Sequence, residues 1–216
     1  MNVIDTSNMT RDQVFALRGY GASETAGIAG LGYRNQTRYK IWLRKTSGVQ
    51  EEHDEETQNL FWWGNALEPL IAQRFTLETG LEFAANQVLV HHPTYPWMTA
   101  LIDGVTTSEE IVDCKAMTFF SSCDVEEGDP STLQPKHIIQ ANHQMAVCEQ
   151  DHAHWACFAG GDLKLKKFVI QRDDEVGNYV LTRKRRTRAG YPVKPSEYVE
   201  FSCKLKKEIK KRCVTV

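Results

Sequence analysis

The chain has no run of apolar residues near the ~20 that would cross a bilayer. Residues 1–10 are polar and contain no signal-peptide core. No membrane partner is therefore expected, and the expected location is cytoplasmic. The six cysteines, Cys114, Cys123, Cys148, Cys157, Cys203 and Cys213, include no CxxC pair. In a cytosolic chain that argues against a disulfide framework and for reduced, partly buried thiols. The spacing of Cys148, His152, His154 and Cys157 matches no standard zinc finger, and no four cysteines are placed for an iron–sulfur cluster. Repeats and low-complexity linkers are also missing. One domain is expected over residues 1–216, with a basic helical region at 173–216 within it.

What is present is unevenly charged. The formal net charge is −2, yet residues 183–216 hold twelve Lys/Arg against three Asp/Glu. Residues 1–182 hold fourteen against twenty-five. Such a division suits a protein that grips a polyanion with one part and holds cations with another. A solvated basic helix is the plainer alternative.

Along the chain, Thr10 with Gln13 forms a capping-box pattern and opens a short helix ended by Gly19. Ser23 is expected to cap a second helix, residues 24–29, stopped by Gly30 and Gly32. Thr37 opens a third. Residues 60–79 are helical in pattern, but Pro69 is tolerated only near a helix start, so a break is expected around Gly64. Glu68 then falls in the first turn of the second piece. Strands are expected at 87–91, 97–102 and 110–117, with Asp103-Gly104 and Thr107-Ser108 supplying turns. A helix at 134–148 is followed by strands at 153–159 and 163–171, joined by Gly160-Gly161-Asp162. Basic helices are expected at 173–188 and 196–212. The outline is an α/β fold in which helices flank a central mixed β-sheet.

The chemistry concentrates at Asp103 and at Asp113-Cys114-Lys115. Alternation along a strand puts Asp113 and Lys115 on one face and Cys114 on the other. A hairpin would bring Asp103 beside Asp113. Two carboxylates that close repel each other unless a cation lies between them. Mg2+ suits such a site, with Mn2+ as a substitute, because it prefers hard oxygen ligands and often shares carboxylates with substrate phosphate. The Cys114 backbone carbonyl could add a ligand. Lys115 could position or deprotonate an attacking water and offset charge at a reacting phosphate. Alone, Asp113 and Lys115 read more readily as a surface ion pair, and Asp103-Gly104 as a plain turn; the strand–turn–strand context brings the two readings level. On the helix at 134–148, His137, Gln140 and Gln144 stand one turn apart and could reach metal-bound water or a DNA backbone.

The stretches Gly21-Ala22-Ser23-Glu24-Thr25-Ala26-Gly27-Ile28-Ala29-Gly30, Trp63-Gly64-Asn65-Ala66-Leu67-Glu68-Pro69, Ile102-Asp103-Gly104, Val112-Asp113-Cys114-Lys115 and Gln140-Ala141-Asn142-His143-Gln144 occur in this order. In combination they resemble the YqaJ-like viral recombinase family, PD-(D/E)XK nucleases related to phage lambda exonuclease. The resemblance spans about the first 160 residues. It implies a restriction-endonuclease-like core and a 5′-to-3′ exonuclease that digests one strand of linear double-stranded DNA. The 3′ tail so exposed would serve recombination by strand annealing in a bacterial host cell. A ring-shaped homotrimer and a single-strand annealing protein as partner are implied as well. By position, Asp103 and Asp113 would bind metal, Lys115 would be catalytic, and Glu68 and Gln140 would complete the site. Arg18 and Ser23 would hold the 5′-phosphate, with Gln144 toward the DNA.

The sequence departs from the lambda pattern in three places. Asp113 stands where glutamate is usual, Leu101 where the lambda protein has serine, and no arginine follows Lys115 within a few residues. Two rivals remain: a restriction-type endonuclease with the same core chemistry, and a catalytically silent DNA-binding scaffold on this fold.

Overall fold

The structure is a computed structural model, and it describes residues 2–32, 36–48 and 52–176. The helices expected at 173–188 and 196–212, and the basic region they carry, lie almost wholly outside the described residues. In chain order the elements are β1 (Asn2–Asp5), α1 (Arg11–Leu17), α2 (Ala22–Ile28), α3 (Arg38–Ser47), α4 (Glu55–Thr79), β2 (Phe83–His91) and β3 (Thr99–Thr106). Then come β4 (Ile111–Met117), α5 (Phe119–Ser122), α6 (Pro135–Cys148), β5 (His152–Ala159) and β6 (Lys164–Gln171).

The six strands form one sheet in sequence order. All neighbours are antiparallel except β4 and β5, which are parallel. A parallel pair needs a crossover, and the segment containing α5 and α6 supplies it. The sheet is therefore mixed, as expected. The strand β1 has no forecast behind it. It is four residues long in a polar stretch, and pairing with β2 defines it.

Each face of the sheet is covered by helix. On one side Val88, Val90, Ala100, Ile102, Ile111 and Trp155 pack with Ile138, Ile139 and Met145 of α6 and Ala22 and Ala29 of α2. On the other, Val112, Cys114, Ala156 and Leu165 pack beneath Ile71 and Phe75 of α4. The strand β4 shows the alternation that places Ile111 and Val112 on opposite faces. Ala116, which strand alternation sets on the same face as Val112 and Cys114, is exposed.

Three local expectations fail for physical reasons. First, α4 runs unbroken through Gly64 and Pro69. Proline costs the helix the bond to the Asn65 carbonyl, but Ile71 and Phe75 are buried at 4% and 0% exposure, and their packing holds the helix through it. Asp54 caps it, accepting the Thr57 N–H at 2.8 Å. Glu68 thus sits in mid-helix, not in a first turn. Second, Asp103-Gly104 makes no turn, because β3 continues to Thr106. Gly104 is required by close approach: a Cβ there would lie 1.8 Å from Phe83 Cε1. Third, Ser23 is inside α2, whose N-cap is Gly21. The Glu24 carboxylate accepts the Gly21 N–H at 2.8 Å, so the helix begins two residues earlier than expected.

Candidate active site

The hairpin of β3 and β4 pairs Gly104 with Val112 and Val105 with Ile111. One step beyond, the ladder gives way. The Cys114 N–H donates to Asp103 Oδ2 at 2.8 Å, so a side-chain carboxylate stands where a backbone carbonyl would. The strands part at this point, and the gap between them holds the acidic residues.

Asp113 is 2% exposed. Its Oδ1 accepts from the Gln144 amide at 2.7 Å and from the Gln140 amide at 3.3 Å. Both donors come from α6, one turn apart. Its Oδ2 forms an ion pair with the Lys115 ammonium. Lys115 Nζ lies 3.8 Å from Asp103 Oδ2, donates to the Cys114 carbonyl at 3.4 Å, and stands 5.2 Å from the Trp155 ring centroid. Glu68 approaches from α4, accepting from Gln87 Nε2 at 3.2 Å. It lines a cleft of about 380 Å³ together with Asp103, Gln87, Asn86, Phe83 and Ser7.

The electrostatics follow from three carboxylates facing one ammonium. Burial, then the charge of Asp113, raises the Asp103 carboxyl well above the ordinary carboxylate range, against the pull of Lys115. Glu68 is also raised, by burial first and by Asp113, while Gln87 and Lys115 oppose. Burial presses the Lys115 ammonium toward neutrality, but Asp113 and Asp103 outweigh it and hold its proton more tightly than usual. Facing these carboxylates alone, Lys115 is therefore a cation. The remaining negative charge is carried by hard oxygen donors on Asp103, Asp113 and Glu68, with the Cys114 carbonyl near, and donors of this chemistry suit a divalent ion such as Mg2+.

The structure thus brings together Glu68, Asp103, Asp113, Cys114, Lys115 and Gln140. Gln144, expected at the DNA, is 1% exposed and its amide is directed at Asp113. His137 is buried beside Trp155, and burial lowers its imidazole to about 3, so it is neutral.

Arg18 and Ser23 form a separate group. Arg18 Nη2 donates to Ser23 Oγ at 3.4 Å. Beneath them lies buried Glu24, which pairs with Arg44 and, at 3.3 Å, with Lys45 Nζ. Arg44 and Lys45 were not singled out in the sequence. Their only mark there is a basic last turn of a helix, which reads as complementing the helix dipole. Gln87 was missed as well. Its φ of 51° is a left-handed conformation that nothing in the local sequence signals.

The profile of the YqaJ-like viral recombinase domain matches residues 14–151. The Bacillus subtilis (strain 168) protein described as "Uncharacterized protein YqaJ" is 28% identical over 178 residues, which are 79% of this chain and 53% of that protein. The chain thus spans about half the length of that relative. Among solved structures, the alkaline exonuclease LHK-Exo from Laribacter hongkongensis superposes with a TM-score of 0.65 at 18% identity, covering 96% of this chain and all of that one. A phage-related exonuclease from Haemophilus somnus 129PT gives 0.59 at 15% identity, covering 81% and 94%. The six-stranded mixed sheet with flanking helices is the fold of these exonucleases.

Proposed function

The chain belongs to the YqaJ-like viral recombinase domain family, and from that premise we propose that it is a cytoplasmic, magnesium-dependent 5′-to-3′ exonuclease acting on the ends of double-stranded DNA. It removes one strand and leaves a 3′ single-stranded tail for annealing. The observation that carries this reading is that Asp103 and Asp113 both face Lys115, with Asp103 and Glu68 lining a cleft beside them. Solved relatives of the fold support it, one of them LHK-Exo in complex with dAMP.

Asp103, Asp113, Glu68 and the Cys114 carbonyl would hold the divalent ion. When bound, that ion polarises the scissile phosphate and lowers the pKa of water beside it. Lys115 donates toward the attacking water or a phosphate oxygen and offsets charge that grows as the bond breaks. Gln140 and Gln144 fix Asp113 through its Oδ1, leaving Oδ2 to pair with Lys115. Arg18 and Ser23 hold the 5′-phosphate over a group in which Arg18, Arg44 and Lys45 outnumber Glu24. The basic C-terminal region adds phosphate contacts, and a homotrimeric ring and an annealing protein are the assembly and partner expected of the family.

The test uses linear duplex labelled at the 5′ or 3′ end, and closed circular duplex, with Mg2+ or excess chelator. Mononucleotides should appear first from the 5′ label, circles should survive, and chelator should stop the reaction. Cutting of closed circles would favour the endonuclease reading. Full activity in chelator would remove the metal from the mechanism.

A further inference from the structure

The face of the sheet turned toward α4 carries a second group of ligand-type side chains. Glu110 immediately precedes β4, and His152 and His154 are the first and third residues of β5. The parallel register sets Val112 beside His154, so strand alternation carries Glu110, His152 and His154 to the same face as Val112. His154 packs against the Phe75 ring of α4, centroids 5.6 Å apart. Glu110 Oε1 lies 3.0 Å from His152 Nε2, and Oε2 lies 3.3 Å from His154 Nε2. One ligand atom from each residue falls within 4.8 Å of the others. Cys148 and Cys157, the other members of the Cys/His cluster noted in the sequence, are buried in the core across the sheet.

We propose that Glu110, His152 and His154 form a metal site separate from the acidic cleft, taking one divalent transition ion of the zinc class. Two imidazole nitrogens and one carboxylate oxygen suit such an ion far better than magnesium. Zinc at ~2.0–2.1 Å from each ligand places tetrahedral neighbours about 3.3–3.4 Å apart. The 3.0 and 3.3 Å separations run to the two different oxygens of Glu110, and with one ligand atom from each residue within 4.8 Å of the others, rotation of the side chains would draw the three in to that spacing. Side-chain exposures of 25% for Glu110 and 32% for His152 leave a fourth position open to water. The ion would clamp the start of β4 to the start of β5. Those strands carry Asp113 three residues onward and Trp155 one residue onward, so the clamp fixes the spacing of the walls behind Lys115. This site does not depend on the nuclease reading.

The test takes the full chain stripped of metal, with millimolar Mg2+ present to occupy the acidic cleft. Zn2+ is titrated by calorimetry, Co2+ by its visible spectrum, and thermal unfolding is followed with each. The wild type and Asp113→Asn should bind one Zn2+, show a tetrahedral Co2+ spectrum and melt at higher temperature with metal. His152→Ala should weaken Zn2+ by more than the ~10–100-fold that loss of an outer-sphere partner costs, and should lose the metal-dependent gain in melting temperature. Glu110→Gln keeps size and hydrogen bonding while removing the charge, and should weaken Zn2+ in the same direction. Absence of Zn2+ binding in the wild type overturns the proposal. Equal affinity in both variants also overturns it, since the ion would then lie elsewhere.

Discussion

Two buried charge clusters sit on this fold, and they are unbalanced in opposite senses. Beside the cleft, Asp103 and Asp113 pair with the ammonium of Lys115 while Glu68 stands near, and burial with mutual repulsion raises Asp103 and Glu68. At the start of α2, the Glu24 carboxylate faces Arg18, Arg44 and Lys45. Burial alone would raise Glu24, but Lys45, Arg18, the Gly21 N–H and Arg44 bring it below the ordinary range. Burial lowers the Lys45 ammonium in turn, and Arg18 adds to this against the pull of Glu24. The acidic cluster holds more carboxylates than ammonium groups, and a divalent ion of the kind proposed would offset that excess, whereas the groups acting on Glu24 are cations.

The sharpest way to break this contrast is to remove the acid from the basic cluster. Glu24→Gln removes the buried carboxylate with which Arg44 and Lys45 pair, and should cost about 3–5 kcal/mol of stability in denaturant unfolding. The stabilisation from Glu24 has a definite pH sign. Its carboxyl is depressed on folding, so the contribution is present above the ordinary 4.5 and is lost as pH falls below that value. Melting curves of wild type and Glu24→Gln should therefore converge in acid. A constant gap from neutral pH to acid would show that the carboxylate charge plays no part.

In the cleft, Asp113→Asn and Lys115→Ala should each lower cleavage by ~10²–10³ in single-turnover digestion, with unchanged far-UV circular dichroism. Near-normal turnover by Lys115→Ala would remove its role. Asp113→Glu is the control, expected to retain measurable activity because glutamate is usual at this position in the resembling family.

The two clusters should also respond oppositely to loss of an acid. Where Glu24→Gln destabilises, Asp103→Asn should raise the melting temperature of the metal-free chain while abolishing cleavage. The variant relieves repulsion and keeps an oxygen to accept the Cys114 N–H. A large drop in melting temperature would mean that the cleft is a balanced ion pair and not a charge excess.

The smallest expected effect concerns the DNA end. Arg18→Ala should slow digestion of 5′-phosphorylated duplex more than of 5′-hydroxyl duplex, by a few-fold, in line with loss of one charge-assisted contact of about 1.5–3 kcal/mol partly covered by Arg44 and Lys45. Equal loss on both ends would return Arg18 to a purely structural place at the end of α1.

Much of this was legible from residues alone. The alternation of Ile111, Asp113 and Lys115 against Val112 and Cys114 follows from the period of a strand, and the structure keeps it. The capping residues Thr10 and Thr37 and the hairpin at Gly160 to Asp162 held because they are set by contacts a few residues apart. Gly104 and Pro69 misled for the converse reason. Glycine signals a turn and a close approach in the same way, and only Phe83, twenty-one residues earlier, decides between them. Proline breaks an isolated helix, but Ile71 and Phe75 hold this one against the sheet.

By itself the sequence determined the order of the elements other than β1 and α5, the family, and the acid–acid–lysine set, because local periodicity and residue type specify those. Tertiary structure alone decided that Gln140 and Gln144 hold Asp113, that Glu68 reaches the cleft from the middle of a helix, and that Arg44 and Lys45 belong with Arg18. Hydrogen-bond partners and charge balance depend on distances between segments far apart in the chain, and no spacing along it encodes them.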